Sequence, residues 1–487
     1  MPSRALKILL AASEIVPFAK TGGLADVAGS LPKALRELGH DVRLAIPKYR
    51  LVTNNGIESK PVIDVLTVPL NGGTTVSIES SDAIERVTTY LVRHDPSFDR
   101  DGLYGHPDDA LRFAIYQQAV LKMMSALDWR PDVFHGNDWQ TALIPLYAGL
   151  DSRFPESLPS LYTIHNLAYQ GSFPSELVPE LGLPWTTFTL DGLEYYGAIN
   201  MMKAGIVYSD LVSTVSERYA QEIQTPEFGA GLEGVLAQRK DDLIGILNGI
   251  DGEEWDPATD GAIAERFDLD SRRRKAANRT ALRAELGLTD DPRAPLIGII
   301  GRLAAQKGFD LLAEVAPHAL GLDTQLVVLG TGDKMYHDLF SALAKRHPDR
   351  MAVRLEFNDA LARRIYAGSD MFLMPSRYEP CGLGQMISLR YGSIPIVRAT
   401  GGLADTVTEF DPATRNGNGF SFDDYSGVAL FAALARALMV YRNSRLWDRL
   451  IRNAMKCDFS WRVSAKKYVA AYREAIARRK ATHRVTA

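Results

Sequence analysis

Cysteine is scarce in this sequence, with only Cys381 and Cys457 among 487 residues. Two thiols cannot form a disulfide framework or a four-cysteine zinc site, so we expect a reducing compartment. No apolar run approaches the roughly 20 residues that a membrane helix needs. The early run Ile8–Ala12 is also too short for a usual signal-peptide core. We therefore expect a soluble, cytoplasmic protein with no membrane partner.

The chain also lacks an excess of positive charge. It has 55 Lys and Arg against 59 Asp and Glu, a net charge of −4. Nucleic-acid binding calls for a concentrated basic surface, so we predict no nucleic-acid partner. Apolar residues make up 46% and charged residues 23%, as in ordinary globular proteins rather than disordered ones. The length exceeds what one hydrophobic core usually serves, which predicts two domains.

Short apolar runs, typical of buried strands, alternate with amphipathic stretches. The predicted strands are Lys7–Ala12, Asp41–Ile46, Asp132–His135, Ser160–His165 and Leu211–Val215, then Leu296–Gly301, Gln325–Gly330, Val353–Phe357, Met371–Met374 and Ile394–Val397. The predicted helices include Ala25–Leu38, Leu111–Leu127, Arg272–Leu286, Asp310–Leu320 and Asp338–Arg346. This alternation predicts parallel sheets with helices on both faces. The fold class is therefore α/β, with two Rossmann-like domains facing across a cleft that holds the ligand.

Three segments follow from this series. We predict an N-terminal Rossmann-like domain at residues 1–247, a C-terminal Rossmann-like domain at 248–460, and a closing helix and tail at 461–487. The stretch Gly252–Asp270 is rich in acidic residues, Gly and Pro and is predicted to connect the domains. The tail helix Trp461–Arg479 alternates apolar and basic residues, so we expect a solvated basic face.

One segment occurs twice: TGGLAD stands at Thr21–Asp26 and again at Thr400–Asp405. Each copy pairs glycines after a strand and before a helix. Glycine permits close backbone approach, and a helix N-terminus favours anions. The alternative is two similar turns required by two similar folds.

Arg302 and Lys307 share the loop GRLAAQKGFD that follows a predicted strand. Two cations on one loop can converge on a diphosphate, with Arg supplying a planar fork of donors and Lys a point charge. Such fixed charges would stabilise a departing nucleotide. The alternative is a pair of solvated surface residues.

Glu379 stands in SRYEPCGLGQ, after another predicted strand. Cys381, Gly382 and Gly384 follow it in a turn with free amides, which suits a ligand that carries both hydroxyl and phosphate groups. A capped turn before a helix is the alternative.

Two further candidates lie at strand ends. His165 stands in YTIHNLAYQG beside Asn166, and Asp138 stands in HGNDWQ beside Trp139. Strand ends hold ligands in this architecture, and a carboxylate beside an aromatic ring is a common way to hold a sugar. The alternatives are a packed histidine and a helix N-cap aspartate. The triplet Asp268–Asp270 resembles a manganese motif, but helix capping explains it better, so we predict no metal site.

Together these motifs resemble the bacterial glycogen synthase and plant starch synthase family. The matching segments are KTGGLADV at Lys20–Val27, HNLAYQG at His165–Gly171, NGID at Asn248–Asp251, GRLAAQKG at Gly301–Gly308, SRYEPCGL at Ser376–Leu383 and TGGLADTV at Thr400–Val407. The resemblance covers nearly the whole chain. It implies the GT-B arrangement, ADP-glucose as donor substrate, an α-1,4-glucan such as glycogen as acceptor, and neither metal nor cofactor.

The resemblance also implies roles for the residues that match. Arg302 and Lys307 would hold the diphosphate, Glu379 the glucosyl hydroxyls, and His165 would lie against the glucose near the reacting carbon. Residues expected to bind substrate are Lys20, Gly22 and Gly23 from the N-terminal domain, Asp138 on the acceptor side, Asn166, Asn248 near the hinge, Phe357, Cys381, Gly382, Leu383, Thr400 and Gly401.

Two positions depart from related patterns. Phe357 replaces a Tyr that is usual in the family, and a base can stack on either ring. Ile387 stands where many related retaining transferases carry a second Glu that binds ribose. The glycogen synthase branch commonly lacks this Glu, so Ile387 supports the resemblance.

The motif set offers only Glu379 near the donor, whereas glycosidase retention uses two flanking carboxylates. We therefore expect retention without a covalent intermediate. Two rivals remain: an α-glucan phosphorylase, which carries pyridoxal phosphate, and a catalytically silent glucan-binding protein. The sequence is also compatible with an oligomer.

Overall fold

A computed structural model of the chain describes residues 4–152, 154 and 158–486, with side chains through 481. It divides into two compact units. The first runs through Gly249 and includes the C-terminal helix from Trp461, and the second is Ile250–Ser460. The division thus falls two residues after the predicted boundary, and the C-terminal helix groups with the first unit.

The first unit is built on a nine-stranded sheet in the order β12-β11-β7-β6-β1-β2-β5-β4-β3. The strands of this unit are β1 (Lys7–Ala11), β2 (Asp41–Pro47), β3 (Lys60–Val68), β4 (Thr74–Ile84), β5 (Val87–Arg93), β6 (Val133–Asn137), β7 (Ser160–Ile164), β8 (Ser172–Pro174), β9 (Glu194–Tyr195), β10 (Ala198–Asn200), β11 (Leu211–Thr214) and β12 (Leu243–Gly245). The strands β5, β2, β1, β6, β7, β11 and β12 are parallel, while β3 and β4 add an antiparallel extension at one edge. The short strands β8, β9 and β10 form a separate sheet.

Helices of the first unit bury apolar stripes against this sheet. They are α1 (Gly23–Glu37), α2 (Arg50–Asn54), α3 (Asp95–Phe98), α4 (Asp109–Ala126), α5 (Ile144–Leu150), α6 (Met201–Tyr208), α7 (Glu217–Glu222) and α8 (Glu233–Gln238). In α1 the buried residues Leu24, Val27, Leu31 and Leu35 recur at helical spacing, which places them on one face. The central strand β1 is buried from Ile8 to Ala11, as a strand covered on both faces should be.

The second unit has one six-stranded parallel sheet in the order β15-β14-β13-β16-β17-β18. Its strands are β13 (Leu296–Ile300), β14 (Gln325–Leu329), β15 (Met351–Arg354), β16 (Met371–Met374), β17 (Ile394–Arg398) and β18 (Phe420–Phe422). In chain order this is 3-2-1-4-5-6, the strand order of the dinucleotide-binding fold. The strand order reverses between β13 and β16, as it does between β1 and β6 in the first unit.

Helices cover both faces of the second sheet. They are α9 (Lys275–Leu286), α10 (Phe309–Leu320), α11 (Lys334–Arg346), α12 (Asp359–Gly368), α13 (Gly384–Arg390), α14 (Gly401–Thr406), α15 (Gly427–Tyr441) and α16 (Ser444–Met455). Side-chain caps start several of them: Asn358 accepts from the Leu361 N–H at the start of α12, and Ser426 accepts from the Ala429 N–H at the start of α15.

The C-terminal helix α17 (Trp461–Thr486) packs on the first unit. Its buried Tyr472 places its hydroxyl 3.0 Å from Nδ1 of His135 on β6. The basic face is not simply solvated, because Lys467 pairs with Glu217 at 2.8 Å and Arg479 pairs with Asp210 at 2.8 Å. None of the helices in the described part of the chain combines the length and apolar character needed to cross a membrane.

Two strand predictions need correction. The third strand of the second series is Met351–Arg354, not Val353–Phe357, so Phe357 lies beyond the strand. The strands β3, β4, β5, β12 and β18 of the two main sheets have no counterpart among the predicted strands, and neither do the short strands β8, β9 and β10. Most of β3 is exposed, so it lacks the continuous apolar run used to find buried strands.

Candidate active site

In the first unit, polar side chains meet where the strand order reverses, at the carboxyl ends of β1 and β6. The Asn137 amide nitrogen donates to the Ala11 carbonyl oxygen at 3.0 Å, which fixes the orientation of that amide. Asn137 Oδ1 therefore faces His165 Nε2, 2.8 Å away, and must be the acceptor. His165 thus carries its proton on Nε2 and keeps Nδ1 as an acceptor.

Burial lowers the pKa of His165 from its usual 6.5 to about 3. The ring is therefore neutral at physiological pH, because only the uncharged form avoids the desolvation cost. His165 can accept a hydrogen bond at Nδ1 or pack against a ligand, but it is not a reservoir of positive charge.

Asp138 adopts a left-handed backbone conformation, with φ of 53°. Its carboxylate accepts the His165 backbone N–H at 2.8 Å and makes no capping bond to the short helix that follows. The N-cap alternative for Asp138 is therefore wrong. Burial raises the pKa of this carboxyl to about 7, only partly offset by the backbone hydrogen bonds from His165 and Asn166.

The first TGGLAD copy is held by a residue that the sequence analysis missed. The carboxylate of buried Glu14 accepts the backbone N–H of Thr21, the N–H of Gly22 at 2.9 Å, and the Thr21 hydroxyl at 2.7 Å. Two amides of this glycine loop are therefore already occupied by a carboxylate. Lys20, half exposed, pairs with Asp26 in the first turn of α1 at 2.7 Å.

Glu14 is itself held in place by Tyr104, and the segment around Tyr104 is held by Arg112. The Tyr104 hydroxyl donates to Glu14 Oε1 at 2.7 Å. The fully buried Arg112 holds the segment around Tyr104, because its guanidinium donates to the carbonyl oxygens of Ser97 and Leu103. No local motif marks Glu14, since its partner Tyr104 is distant in sequence.

Two asparagines of the first unit have different surroundings. Asn166 Oδ1 accepts the Ala168 N–H at 3.1 Å, which stabilises a turn after β7. Asn248 is buried, and its Oδ1 has no hydrogen-bond partner among the described residues. An unpaired buried oxygen is costly, so Asn248 Oδ1 is an available hydrogen-bond acceptor.

In the second unit, the carboxyl ends of β13 and β16 bring two predicted residues together. Lys307 Nζ lies 2.6 Å from Glu379 Oε2, and the Ser376 hydroxyl donates to the same oxygen at 3.1 Å. Glu379 is buried, whereas the Lys307 side chain keeps 29% of its exposure. The ammonium can therefore meet a ligand while its partner carboxylate stays fixed.

Arg302 is exposed, and one guanidinium nitrogen donates to Gln306 Oε1 at 3.1 Å. The structure thus pairs Lys307 with Glu379 and leaves Arg302 exposed, bonded to Gln306 of the same loop. Phe357 is 90% exposed and directly precedes the Asn358 cap of α12. An open aromatic face at this point is compatible with base stacking.

The second TGGLAD copy packs against the Glu379 turn. The Gly402 N–H lies 3.2 Å from the carbonyl oxygens of Glu379 and Pro380. Gln385 Nε2 contacts the carbonyl oxygens of Cys381 and Gly382, each at 3.0 Å. Leu383 precedes α13, and Thr400 precedes α14 and is buried. The Gly402 backbone and the Gln385 side chain thus hold this turn, which carries Glu379.

Asp268 accepts the N–H groups of Asp270 and Ser271 and caps a short turn. Within residues 4–152, 154 and 158–486 there is no group of three or more His, Cys, Asp or Glu side chains that could hold a metal ion.

Comparison with known proteins gives concordant matches. Residues 7–238 match the family described as "Starch synthase catalytic domain", and residues 279–456 match "Glycosyl transferases group 1". A glycogen synthase of Desulforudis audaxviator is 48% identical, covering 98% of each chain. A glycogen synthase of Syntrophotalea carbinolica is 46% identical, covering 97% of this chain and 99% of that protein.

Solved structures give the same result. The catalytic domain of starch synthase IV from Arabidopsis thaliana, bound to ADP and acarbose, is 35% identical with a TM-score of 0.90, covering 97% of this chain and 100% of that chain. A sucrose-phosphate synthase from Thermosynechococcus elongatus, 18% identical with a TM-score of 0.59 and covering 96% and 99% of the two chains, shares the GT-B fold class. These matches extend over nearly the whole chain, which therefore belongs to the glycogen and starch synthase family of glycosyltransferases.

Proposed function

We propose that this chain transfers glucose from ADP-glucose to the non-reducing end of an α-1,4-glucan, with retention of configuration, and so elongates glycogen. The observation that carries the proposal is the Lys307–Glu379 pair at the reversal point of the second sheet. Ligands of such sheets bind at this point, beyond the carboxyl ends of the strands. A cation beside a fixed carboxylate suits a nucleotide sugar, which presents both phosphates and hydroxyls.

Lys307 supplies the charge that the leaving group requires. As the bond from glucose to diphosphate breaks, negative charge grows on the phosphate oxygens. A fixed ammonium stabilises that growing charge more than it stabilises the intact donor, which lowers the barrier. Because Glu379 and Ser376 already orient the site, little reorganisation is needed when the donor binds. Arg302 on the same loop would add a second cation once its exposed side chain turns to the diphosphate.

The surroundings of the two carboxylates support retention without a covalent intermediate. Glu379 is held by Lys307 and Ser376, and Asp138 accepts the His165 backbone N–H. Both carboxylates therefore already accept hydrogen bonds from other residues of the chain. The acceptor hydroxyl then attacks from the face that the diphosphate leaves, and a departing phosphate oxygen takes the hydroxyl proton. The neutral His165 ring packs against the sugar, and no cofactor takes part.

The central experiment replaces Lys307 with Ala. The catalytic rate with radiolabelled ADP-glucose and glycogen should fall by at least ~10²-fold, the scale of losing one transition-state donor. Lys334→Ala is the matched control, because Lys334 is an exposed lysine on α11 of the same unit. A near-normal rate for Lys307→Ala would remove Lys307 from the mechanism.

The same assay addresses specificity and the rivals. Competing ADP-glucose with UDP-glucose measures the preference for the base. Release of glucose 1-phosphate from glycogen and phosphate, with a pyridoxal absorbance band, would instead identify a phosphorylase. Glucan binding without any transfer would identify a silent binding protein. Trapping a glucosyl adduct on Glu379 or Asp138 would contradict the proposed route. We expect the reaction to take place in the cytoplasm.

A further inference from the structure

Tyr425, which belongs to none of the motifs, touches the turn that carries Lys307. Its hydroxyl donates to Asp310 Oδ1 at 2.5 Å and lies 3.3 Å from the carbonyl oxygen of Ala305. Ala305 begins the short helical turn Ala305–Lys307, and Asp310 stands in the first turn of α10, just after it. One hydroxyl therefore contacts the chain on both sides of Lys307.

The ring of Tyr425 joins this turn to the Glu379 segment. The Arg377 guanidinium lies over the ring at 4.1 Å, and that of Arg398 lies 5.5 Å from its centre. Arg377 also donates from its side chain to Asp310 Oδ2 at 3.3 Å and from its backbone N–H to the Gln306 carbonyl oxygen at 2.9 Å. Tyr425 and Arg377 thus connect the two loops that supply Lys307 and Glu379.

The two loops are already in close contact. Gly308 has φ of +75°, and a Cβ atom added there would lie 2.0 Å from the Pro375 carbonyl oxygen. Because the loops touch through backbone, a small shift of one changes the distance from Lys307 to Glu379. Burial and the hydrogen bond to Asp310 raise the pKa of Tyr425 above its usual value, so the phenol remains a donor.

We propose that Tyr425 is a positioning residue, which holds the Lys307 turn against the Glu379 segment so that the ammonium meets the diphosphate in the transition state. The proposal rests on the role assigned to Lys307 under the proposed function. Tyr425 contacts Asp310, Ala305, Arg377 and Arg398, and its effect on the reaction passes through Lys307.

The first test is Tyr425→Phe, which removes the hydroxyl and keeps the ring beneath Arg377. We expect kcat to fall about 10-fold while the KM for ADP-glucose changes less than about 3-fold, because displacement of Lys307 weakens the transition state more than the bound donor. Tyr441→Phe is the matched control. Tyr441 ends α15, and its hydroxyl donates to Asp370 at 3.5 Å and accepts from Arg279 at 2.9 Å. None of these residues contacts the Lys307 turn in the hydrogen bonds described above, so kcat of this variant should stay normal. Asp310→Ala removes the acceptor of the same hydrogen bond and should reproduce the effect.

The decisive measurement combines Tyr425→Phe with Lys307→Ala. If Tyr425 acts through Lys307, the double variant should differ less than about 2-fold in kcat from Lys307→Ala alone. An equal fall in both backgrounds, or no fall in the otherwise unaltered protein, would overturn the proposal and leave the proposed function standing. A near-normal rate for Lys307→Ala alone would overturn both. If the thermal unfolding midpoint of Tyr425→Phe is close to that of Tyr441→Phe, the fall in kcat reflects a displaced Lys307 and not loss of folding.

Discussion

The two TGGLAD copies have the same six residues but opposite surroundings. At Thr21–Asp26 the glycines are exposed, and a Cβ atom added at Gly22 or Gly23 would meet nothing within 4 Å. In the copy at Thr400–Asp405 the glycines are buried. A Cβ atom at Gly401 would lie 2.0 Å from the Glu379 carbonyl oxygen, and one at Gly402 would lie 2.0 Å from that of Cys381.

This difference shows that a glycine pair can be present for two reasons: the packing of the fold or the approach of a ligand. In the second copy the fold itself requires glycine, because backbone occupies the space that a side chain would need, and Gly401 has φ of +46°. In the first copy the folded chain has room for a side chain, and Gly22 has extended φ of −147° that any residue can adopt. The open glycines therefore favour close approach of a ligand, which supports the substrate-binding role proposed for Gly22 and Gly23.

The copies also differ in how they are attached. The buried Glu14 carboxylate holds the first through Thr21 and Gly22, whereas backbone carbonyl oxygens of Glu379 and Pro380 receive the Gly402 N–H in the second. A side-chain attachment can be removed by one substitution without changing the backbone. A backbone attachment fails only when the packing around it fails.

The largest expected effect is on folding, in the second copy. Gly402→Ala places a methyl group against the Cys381 carbonyl, and we expect a loss of at least about 3 kcal/mol in the free energy of unfolding, at or beyond the usual cost of overpacking. Gly22→Ala is the matched substitution in the first copy and should leave thermal unfolding unchanged. It should instead lower kcat/KM for ADP-glucose. Equal unfolding midpoints for Gly402→Ala and Gly22→Ala would contradict the view that the fold requires glycine only in the second copy.

The sequence could predict most of the parallel strands and the residues at their ends, because buried strands have apolar runs and ligand residues follow them. Lys307 and Glu379 were found in this way, and the structure brings them together. The parallel strands β5, β12 and β18 were missed. The exposed strand β3 was missed because its residues lack such a run.

Residues whose partners are distant in sequence were missed for another reason. Glu14 is fixed by Tyr104, and Tyr425 contacts Asp310, in each case across a long stretch of chain. A single carboxylate or tyrosine has no local signature, because its role depends on which loops the fold brings to it. The same limit applies to Asp138, for which a helix cap was the alternative and the structure shows no capping hydrogen bond.

The next effect concerns the Glu14 attachment of the first copy. Glu14→Ala leaves the exposed Thr21 and Gly22 residues without the carboxylate that accepts their N–H groups, so water becomes the acceptor and the loop is no longer held. We expect the KM for ADP-glucose to rise about 10-fold because the loop loses its fixed position. Glu14→Gln should restore much of the affinity, since its oxygen can face both N–H groups. Glu217→Ala, at an exposed glutamate, is the control. An unchanged KM for Glu14→Ala would show that the loop keeps its position without the carboxylate.

The smallest expected effect concerns Asp138 and Glu379, the two carboxylates that lie where the strand order of each sheet reverses. Lys307 neutralises Glu379, whereas Asp138 receives only backbone N–H groups, and burial raises its pKa to about 7 from 3.8. Because the folded state binds the proton more tightly, Asp138 contributes stability below pH 3.8 that is lost as the pH rises through about 7. Asp138→Asn should therefore raise the free energy of unfolding at pH 8, where the carboxyl is ionised in the folded and the unfolded protein.

That gain should shrink towards zero near pH 4, where the carboxyl of the unaltered protein is protonated and resembles the amide. Chemical unfolding of both proteins at pH 8, 6 and 4.5 measures the trend, with the exposed Asp82→Asn as a control that should show no such dependence. The substitution keeps an oxygen for the His165 N–H, so the pH dependence isolates the charge. A gain that grows as the pH falls would mean that Asp138 is stabilised as the anion, and the contrast with Glu379 would then disappear.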